Sequence, residues 1–263
     1  MIQETRLLMG MPITIAIADA NGGAGDLAAV FDYFAGVDEK FSPYKETSET
    51  TAVNRGLPES AWSDDMRTVV ALAEKTKKET DGFFDIRTPD GAFNPVGIVK
   101  GWAITRAADL LRGRGFKNFF VDAGGDIEAA GLNAAGAPWR VGIRDPFSPE
   151  KIILRIALSD CGVATSGTYI RGDHIYDPHT GRATAELASL TVVARDACEA
   201  DRFATAAFAM GANAIPFLES RELPGYAVDK NGNRTSTKDF SRLIISETSP
   251  ENGDPAIAWP FFQ

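Results

Sequence analysis

Histidine and cysteine are nearly absent from this sequence: 263 residues hold two of each. The cysteines, Cys161 and Cys198, form neither a disulfide framework nor a metal-ligand spacing, so both are expected as buried free thiols. No run approaches the roughly 18 consecutive apolar residues that a spanning helix needs, which leaves no membrane segment. Met1 to Leu8 contain no basic stretch leading into an apolar run and a small-residue cleavage site. With no export signal in view, a cytoplasmic location is the expectation. Basic charge is also in deficit, 27 Lys and Arg against 36 Asp and Glu, a formal net charge of −9. That balance argues against a general affinity for nucleic acid or anionic lipid. An anionic ligand would then need a metal or backbone donors. Hydrophobic residues at 44% and charged residues at 24% exclude disorder and fibrous architectures. Internal repeats, long linkers and low-complexity blocks are missing too, so residues 1–263 read as one α+β domain.

Along the chain, Ile13, Ile15 and Ile17 alternate with small or polar residues, the period of a half-buried strand ending near Asp19. After Asn21-Gly22-Gly23-Ala24-Gly25, the residues Leu27, Val30, Phe31 and Phe34 predict a helix with one apolar face, Asp26 being its N-cap. Gly23-x-Gly25-x-x-Ala28 loosely fits a dinucleotide fingerprint, but that motif requires a second strand ending in an acid about 20 residues on. Lys40 to Arg55 is instead polar and rich in Thr and Ser, so a plain glycine turn is the preferred reading. Met66, Val69, Val70 and Ala73 predict a second helix, stopped by Asp81-Gly82. Prolines and glycines forbid regular structure from Thr88 to Gly97, and Gly101 to Arg112 returns to helix, with Gly97 to Lys100 as the loop feeding it.

Phe119-Phe120-Val121 predicts a buried strand meeting Asp122-Ala123-Gly124-Gly125-Asp126. Further strands are expected at Trp139 to Ile143, Ile152 to Leu158 and Leu187 to Ala194. Asp196 and Glu199 have the form of a capping box, which starts a helix reaching about Met210. A short helix before Pro224, then strands around Tyr226 to Val228 and Leu243 to Ile245, complete the chain.

Both histidines fall within Ala164 to Gly181, a stretch too rich in hydroxyls, glycines and acids to be core material. His174 could serve as a general base or as a structural donor. His179, in Asp177-Pro178-His179-Thr180-Gly181, reads as a turn residue. Ser166 lacks the frame of a hydrolase nucleophile elbow, and Lys100 lacks that of a Walker lysine. Asp201 and Thr205, four apart on a helix, share a face. They could offer oxygens to a hard cation such as Mg2+, or simply face solvent.

In order, these blocks resemble the ApbE family, the FAD:protein FMN transferases. The resemblance rests on Met9-Gly10; on Phe41-Ser42-Pro43-Tyr44 with Thr47-Ser48-Glu49 and Asn54; and on Gly97-Ile98-Val99-Lys100-Gly101-Trp102-Ala103. It continues through Ala123-Gly124-Gly125-Asp126, Ala164-Thr165-Ser166-Gly167, His174-Ile175-Tyr176-Asp177-Pro178-His179-Thr180-Gly181, and Ala200-Asp201 to Thr205. Together these span about residues 9 to 212. The resemblance implies an α+β fold of mixed or antiparallel sheets and packed helices, with FAD in a cleft between two lobes and Mg2+ at its pyrophosphate. It implies transfer of FMN to a Thr or Ser hydroxyl of a target flavoprotein, with release of AMP. Met9, Tyr44, Phe83, Phe84, Asp85, Asn94, Lys100, Ser166, Gly167 and Ile175 would then contact the flavin nucleotide. The Gly97 carbonyl, Asp201 and Thr205 would hold the metal, and His174 would deprotonate the acceptor. Asn94 stands where the family pattern carries an acid. An FAD pyrophosphatase, or an FAD-binding protein without turnover, therefore stays open as an alternative.

Overall fold

The computed structural model describes residues 1–167, 175–184 and 186–245. The chain opens with a hairpin of β1 (Ile2–Leu8) and β2 (Met11–Ile17). Its two-residue turn puts Met9 at φ 53° and Gly10 at φ 71°. The helix α1 (Ala24–Phe41) then buries Leu27, Val30, Phe31 and Phe34 on one stripe, as the spacing predicts. Next come the short α2 (Glu49–Asn54), then α3 (Asp64–Glu79) and α4 (Val96–Gly113). Strands β3 (Phe119–Ala123) and β4 (Asp126–Ala130) form a second hairpin. Gly124 at φ 62° and Gly125 at φ 94° supply the left-handed pair that a tight two-residue loop demands.

A long hairpin of β5 (Trp139–Asp145) and β6 (Ser148–Leu158) precedes β7 (Cys161–Gly167). After it come the short pair β8 (Tyr176–Asp177) and β9 (Arg182–Ala183), then β10 (Leu187–Ala194). The chain goes on through α5 (Ala197–Ala209), α6 (Ala214–Ser220), β11 (Gly225–Asp229) and β12 (Arg234–Ser236).

Eight strands form one sheet in the order β1-β2-β3-β4-β7-β10-β11-β12, with every described pairing antiparallel. Alternate residues therefore serve two layers. Ile13, Ile15, Phe119 and Val121 pack with α1, α3 and α4, and Leu190, Val192 and Ala227 with α5 and α6. Phe120, Ile127, Val163 and Val193 face the opposite way, onto Trp139, Val141 and Ile156 of the β5–β6 hairpin. A fully buried Leu or Phe contributes about 1.5–3 kcal/mol, so these two layers carry most of the driving force. Cover on both faces also explains why β10 is buried along its whole length, Ser189 and Thr191 included.

Several sequence expectations are corrected. β1 is an edge strand with one neighbour and half-buried side chains, so it shows no clean alternation. β4 hides its period behind Asp126 and Glu128, both buried. Gly23 is the N-cap of α1, and Asp26 is the N3 residue whose carboxylate accepts the Gly23 amide at 3.1 Å. α4 starts at Val96 rather than Gly101, because Pro95 is tolerated at a helix start and Asn94 Oδ1 accepts the Val96 amide at 3.2 Å. Asp196 caps α5 through the Glu199 amide at 2.7 Å, while the Glu199 carboxylate turns to Arg195 and Arg202. Leu243 ends a 3-10 helix that buries Phe240, and Ile244 makes an isolated bridge with Ile156. The cysteines are free but half-buried. Around the glycine turn, β2 lies antiparallel to both neighbours, which removes the dinucleotide fold.

Candidate functional site

The site is built where α4 and α5 cross over the sheet. Gly101 makes the crossing possible: a β-carbon there would lie 2.6 Å from Asp201 Cβ and 2.7 Å from the Ala197 carbonyl oxygen. One turn earlier, Gly97 faces Phe84 and Thr205, at 3.5 Å and 3.8 Å from the same imaginary atom. The first turn of α4 thus lies against the Asp201–Thr205 turn of α5. Asp201 is 4% exposed, which overturns the solvated-face alternative. Alanines at 197, 200 and 204, all fully buried, let the helices approach this closely.

Charge is concentrated at the crossing. Asp201 Oδ2 accepts the Gly101 amide at 2.8 Å. Lys100 Nζ sits 3.5 Å from Asp201 Oδ1 and 2.5 Å from Asp126 Oδ2. Asp126 is 1% exposed, and its Oδ1 accepts the Thr165 amide at 3.1 Å. Burial pushes the Asp126 carboxyl well above the carboxylate range and the charge of Asp201 pushes the same way, while Lys100 opposes both. Two residues along β4, Glu128 projects onto the same helical layer. It accepts the Thr105 hydroxyl at 2.7 Å and the Ala197 amide at 3.1 Å, and it pairs with Arg112 at 2.8 Å. Glu128 therefore fixes the N-terminus of α5, and Asp126 the charge cluster one turn further on.

The residues expected to hold Mg2+ fit it in donor chemistry. The Gly101 amide donates to Asp201 Oδ2, and a backbone carbonyl carries two lone pairs, so the Gly97 carbonyl has acceptor capacity for a further partner. Carbonyl, carboxylate and hydroxyl from Gly97, Asp201 and Thr205 are the hard oxygens Mg2+ selects. The first turn of α4 contains no acidic residue, and the positive end of the helix dipole there favours an anion.

Other expected residues lie around this centre. Phe84 is buried beside Gly97, and Asp85 pairs with Lys77 at 2.6 Å. Phe83 packs edge-on against His179, their rings 4.6 Å apart, so His179 ties the Asp177–Gly181 turn to the Phe83 loop. Ser166 and Gly167 end β7 directly after Thr165, whose amide donates to Asp126. Ile175 packs against the α5 cluster. Asn94 donates its amide to the Ile86 carbonyl at 2.8 Å and starts α4, a structural task that an amide performs as well as an acid. Met9 is partly buried against the main core cluster. Tyr44 stands 92% exposed and is not drawn against the centre. His174 lies outside the described residues.

Two contributors were named in the sequence only as parts of matching blocks, with no role assigned. Asn54 bonds both backbone groups of Phe93, donating to its carbonyl at 2.9 Å and accepting its amide at 2.8 Å, and so clips the loop that leads into α4. Asp126 was visible only as part of a glycine motif. The signal available was Asp126-Ile127-Glu128, two acids with strand alternation in an otherwise apolar segment.

The chain is similar to known proteins in both sequence and fold. FAD:protein FMN transferases from Vibrio cholerae and Escherichia coli K12 are 36% identical over 140 residues and 32% identical over 164. Those alignments take in 46% and 57% of this chain but 42% and 47% of the relatives, so the chain matches under half of their length. Among solved structures, the ApbE protein of Thermotoga maritima superposes with a TM-score of 0.82 at 22% identity, over 93% of this chain and 99% of that one. The flavin transferase ApbE of Vibrio cholerae gives 0.79 at 23%, over 92% and 98%. At these identities the likeness establishes the α+β fold. The sequence also matches the ApbE family model over residues 9–90 and 87–228, a span that holds the α4–α5 crossing, the glycine hairpin and Asp201, and the chain belongs to the ApbE family.

Proposed function

We propose that this chain transfers FMN from FAD to a Thr or Ser hydroxyl of a target flavoprotein, in an Mg2+-dependent step that releases AMP. The observation that carries the reading is the α4–α5 crossing, where a carbonyl, a carboxylate and a hydroxyl adjoin an ammonium and a helix N-terminus in an otherwise acidic protein. Phosphoryl transfer depends on positioning and charge neutralisation, and this cluster is suited to both. Gly97, Asp201 and Thr205 would hold Mg2+, which when bound offsets the charge of the pyrophosphate and of the departing AMP. Lys100 adds a second positive charge, and the positive end of the α4 dipole favours the phosphates. The acceptor oxygen bonds to the FMN phosphorus as the bond from that phosphorus to the bridging oxygen breaks. AMP departs with the bridging oxygen. The acceptor proton passes to a base, a role the family resemblance gives to His174.

The test is incubation with FAD, Mg2+ and candidate flavoproteins, read by intact mass. A target gaining the mass of FMN supports the reading. AMP release with no gain on any target would assign the site to hydrolysis of FAD, and FAD bound without AMP release under any divalent metal would make the chain a binder. Asp201→Asn keeps an acceptor for the Gly101 amide and should fold, yet lose metal-dependent turnover. His174→Ala should slow transfer and leave FAD bound.

A further inference from the structure

Asp126 is not among the residues proposed to hold the metal, yet it is the nearer of the two described carboxylates on Lys100, 2.5 Å against 3.5 Å to Asp201. The Lys100 side chain is only part-buried, and without Asp126 its nearest described carboxylate would be Asp201; an ammonium closing on it would cover the one Asp201 oxygen that the Gly101 amide leaves over. Asp126 is well placed to prevent this. It is rooted in β4, its other oxygen is held by the Thr165 amide at 3.1 Å, and it is 1% exposed, so the pull it exerts on Lys100 has a fixed direction.

We propose that Asp126 is a positioning residue that draws the Lys100 ammonium aside and keeps Asp201 Oδ1 open to a divalent cation. This rests on the metal reading of Asp201. It makes the effect of Asp126 conditional on Lys100, which a plain contribution of negative charge would not be.

The experiment titrates Mn2+ alone into the full chain, following free Mn2+ by EPR, with Mg2+ as competitor. Four proteins are compared: wild type, Asp126→Asn, Lys100→Met and the double variant, each checked for folding by circular dichroism. The asparagine keeps an acceptor for the Thr165 amide. Asp126→Asn is expected to weaken Mn2+ binding at least tenfold when Lys100 is present and less than threefold when it is Met. An equal loss in both backgrounds would reduce Asp126 to a distant charge and overturn the proposal; so would no loss in either. Asp126→Glu gives a second route should the asparagine variant unfold. It keeps the charge but pushes the ammonium toward Asp201, so it should weaken binding only with Lys100 in place, and unchanged binding there overturns the proposal. If wild type binds no Mn2+, the metal reading of Asp201 fails and takes this inference with it, whereas binding without the conditional loss leaves that reading standing and removes this one alone.

Discussion

Gly101→Ala offers a sharp test of the close crossing between α4 and α5. In an open helix this change stabilises by about 1 kcal/mol, because alanine gives up less backbone freedom than glycine. Here the new methyl would lie 2.7 Å from the Ala197 carbonyl oxygen, and 3.4 Å is the near edge of ordinary contact, so the helices must part by about 0.7 Å. The obstructing atom is backbone, and no rotamer change relieves it. Overpacking of this kind costs about 1–3 kcal/mol. Separation also stretches the hydrogen bond from the Gly101 amide to the Asp201 carboxylate, a charged bond that contributes about 1.5–3 kcal/mol. Against the propensity gain, the net expectation is a loss of about 2 kcal/mol or more. Gly113 supplies the control: it ends the same helix, is exposed, and has nothing within 4 Å of an added β-carbon. Urea denaturation of both variants should move the midpoints in opposite directions, down for Gly101→Ala and unchanged or up for Gly113→Ala. A Gly101→Ala protein as stable as wild type would refute the crossing as described, and with it the placement of Asp201 against the first turn of α4.

Asn54→Ala removes two hydrogen bonds to the Phe93 backbone and should cost about 2 kcal/mol, with faster proteolysis between Arg87 and Ala92 as the local sign; equal cleavage rates would argue that the loop is held elsewhere. Burial pushes the Asp122 carboxyl up from 3.8 to about 7, so the folded chain keeps a proton there that the unfolded chain sheds. That stabilisation is fully present below pH 3.8 and disappears as pH rises through 7, on the order of 3–4 kcal/mol over the interval. Asp122→Asn should therefore flatten the stability profile between pH 4 and 7 relative to wild type, measured by urea midpoints, and parallel profiles would rule the proton out. Burial also pushes the Cys198 thiol up to about 12 and raises Cys161, so a disulfide reagent at pH 8 should label both slowly in the native chain and at once in denaturant. Fast native labelling of Cys198 would contradict its place in the first turn of α5, packed against the core.

The elements legible in the sequence were those with one dominant period. α1, α3 and α5 announce themselves through Leu27 to Phe34, Met66 to Ala73 and the Asp196 cap, and β10 through its β-branched run. What escaped was whatever depends on a neighbour far along the chain. β1 is held by pairing at the sheet edge, and its composition of Gln3, Glu4, Thr5 and Arg6 carries little apolar signal. The start of α4 is set by Asn94 and Pro95 against the Ile86 loop, whereas the prolines read alone suggest irregular chain. At the site, spacing identified Asp201 and Thr205 as one helical face but could not tell a solvated face from a buried one. That distinction lies in Gly101, a residue 100 positions earlier, whose missing side chain admits α5. Lys100 and Asp126 were each visible in separate motifs, and only the crossing makes them a pair.

The glycine hairpin between β3 and β4 has a consequence for how the chain tolerates change. β4 presents Asp126 and Glu128 to the helices and Ile127 to the β5–β6 layer, so its register is checked from both sides at once. One residue inserted between Gly124 and Gly125 would exchange the two sets, placing Ile127 where Glu128 meets Thr105 and Arg112 and turning the two acids toward the layer of Trp139 and Val141. Most surface loops can lengthen at little cost. This two-residue turn acts as a length standard for the whole molecule, in which a single added peptide unit would spoil the charge cluster and the far hydrophobic layer together.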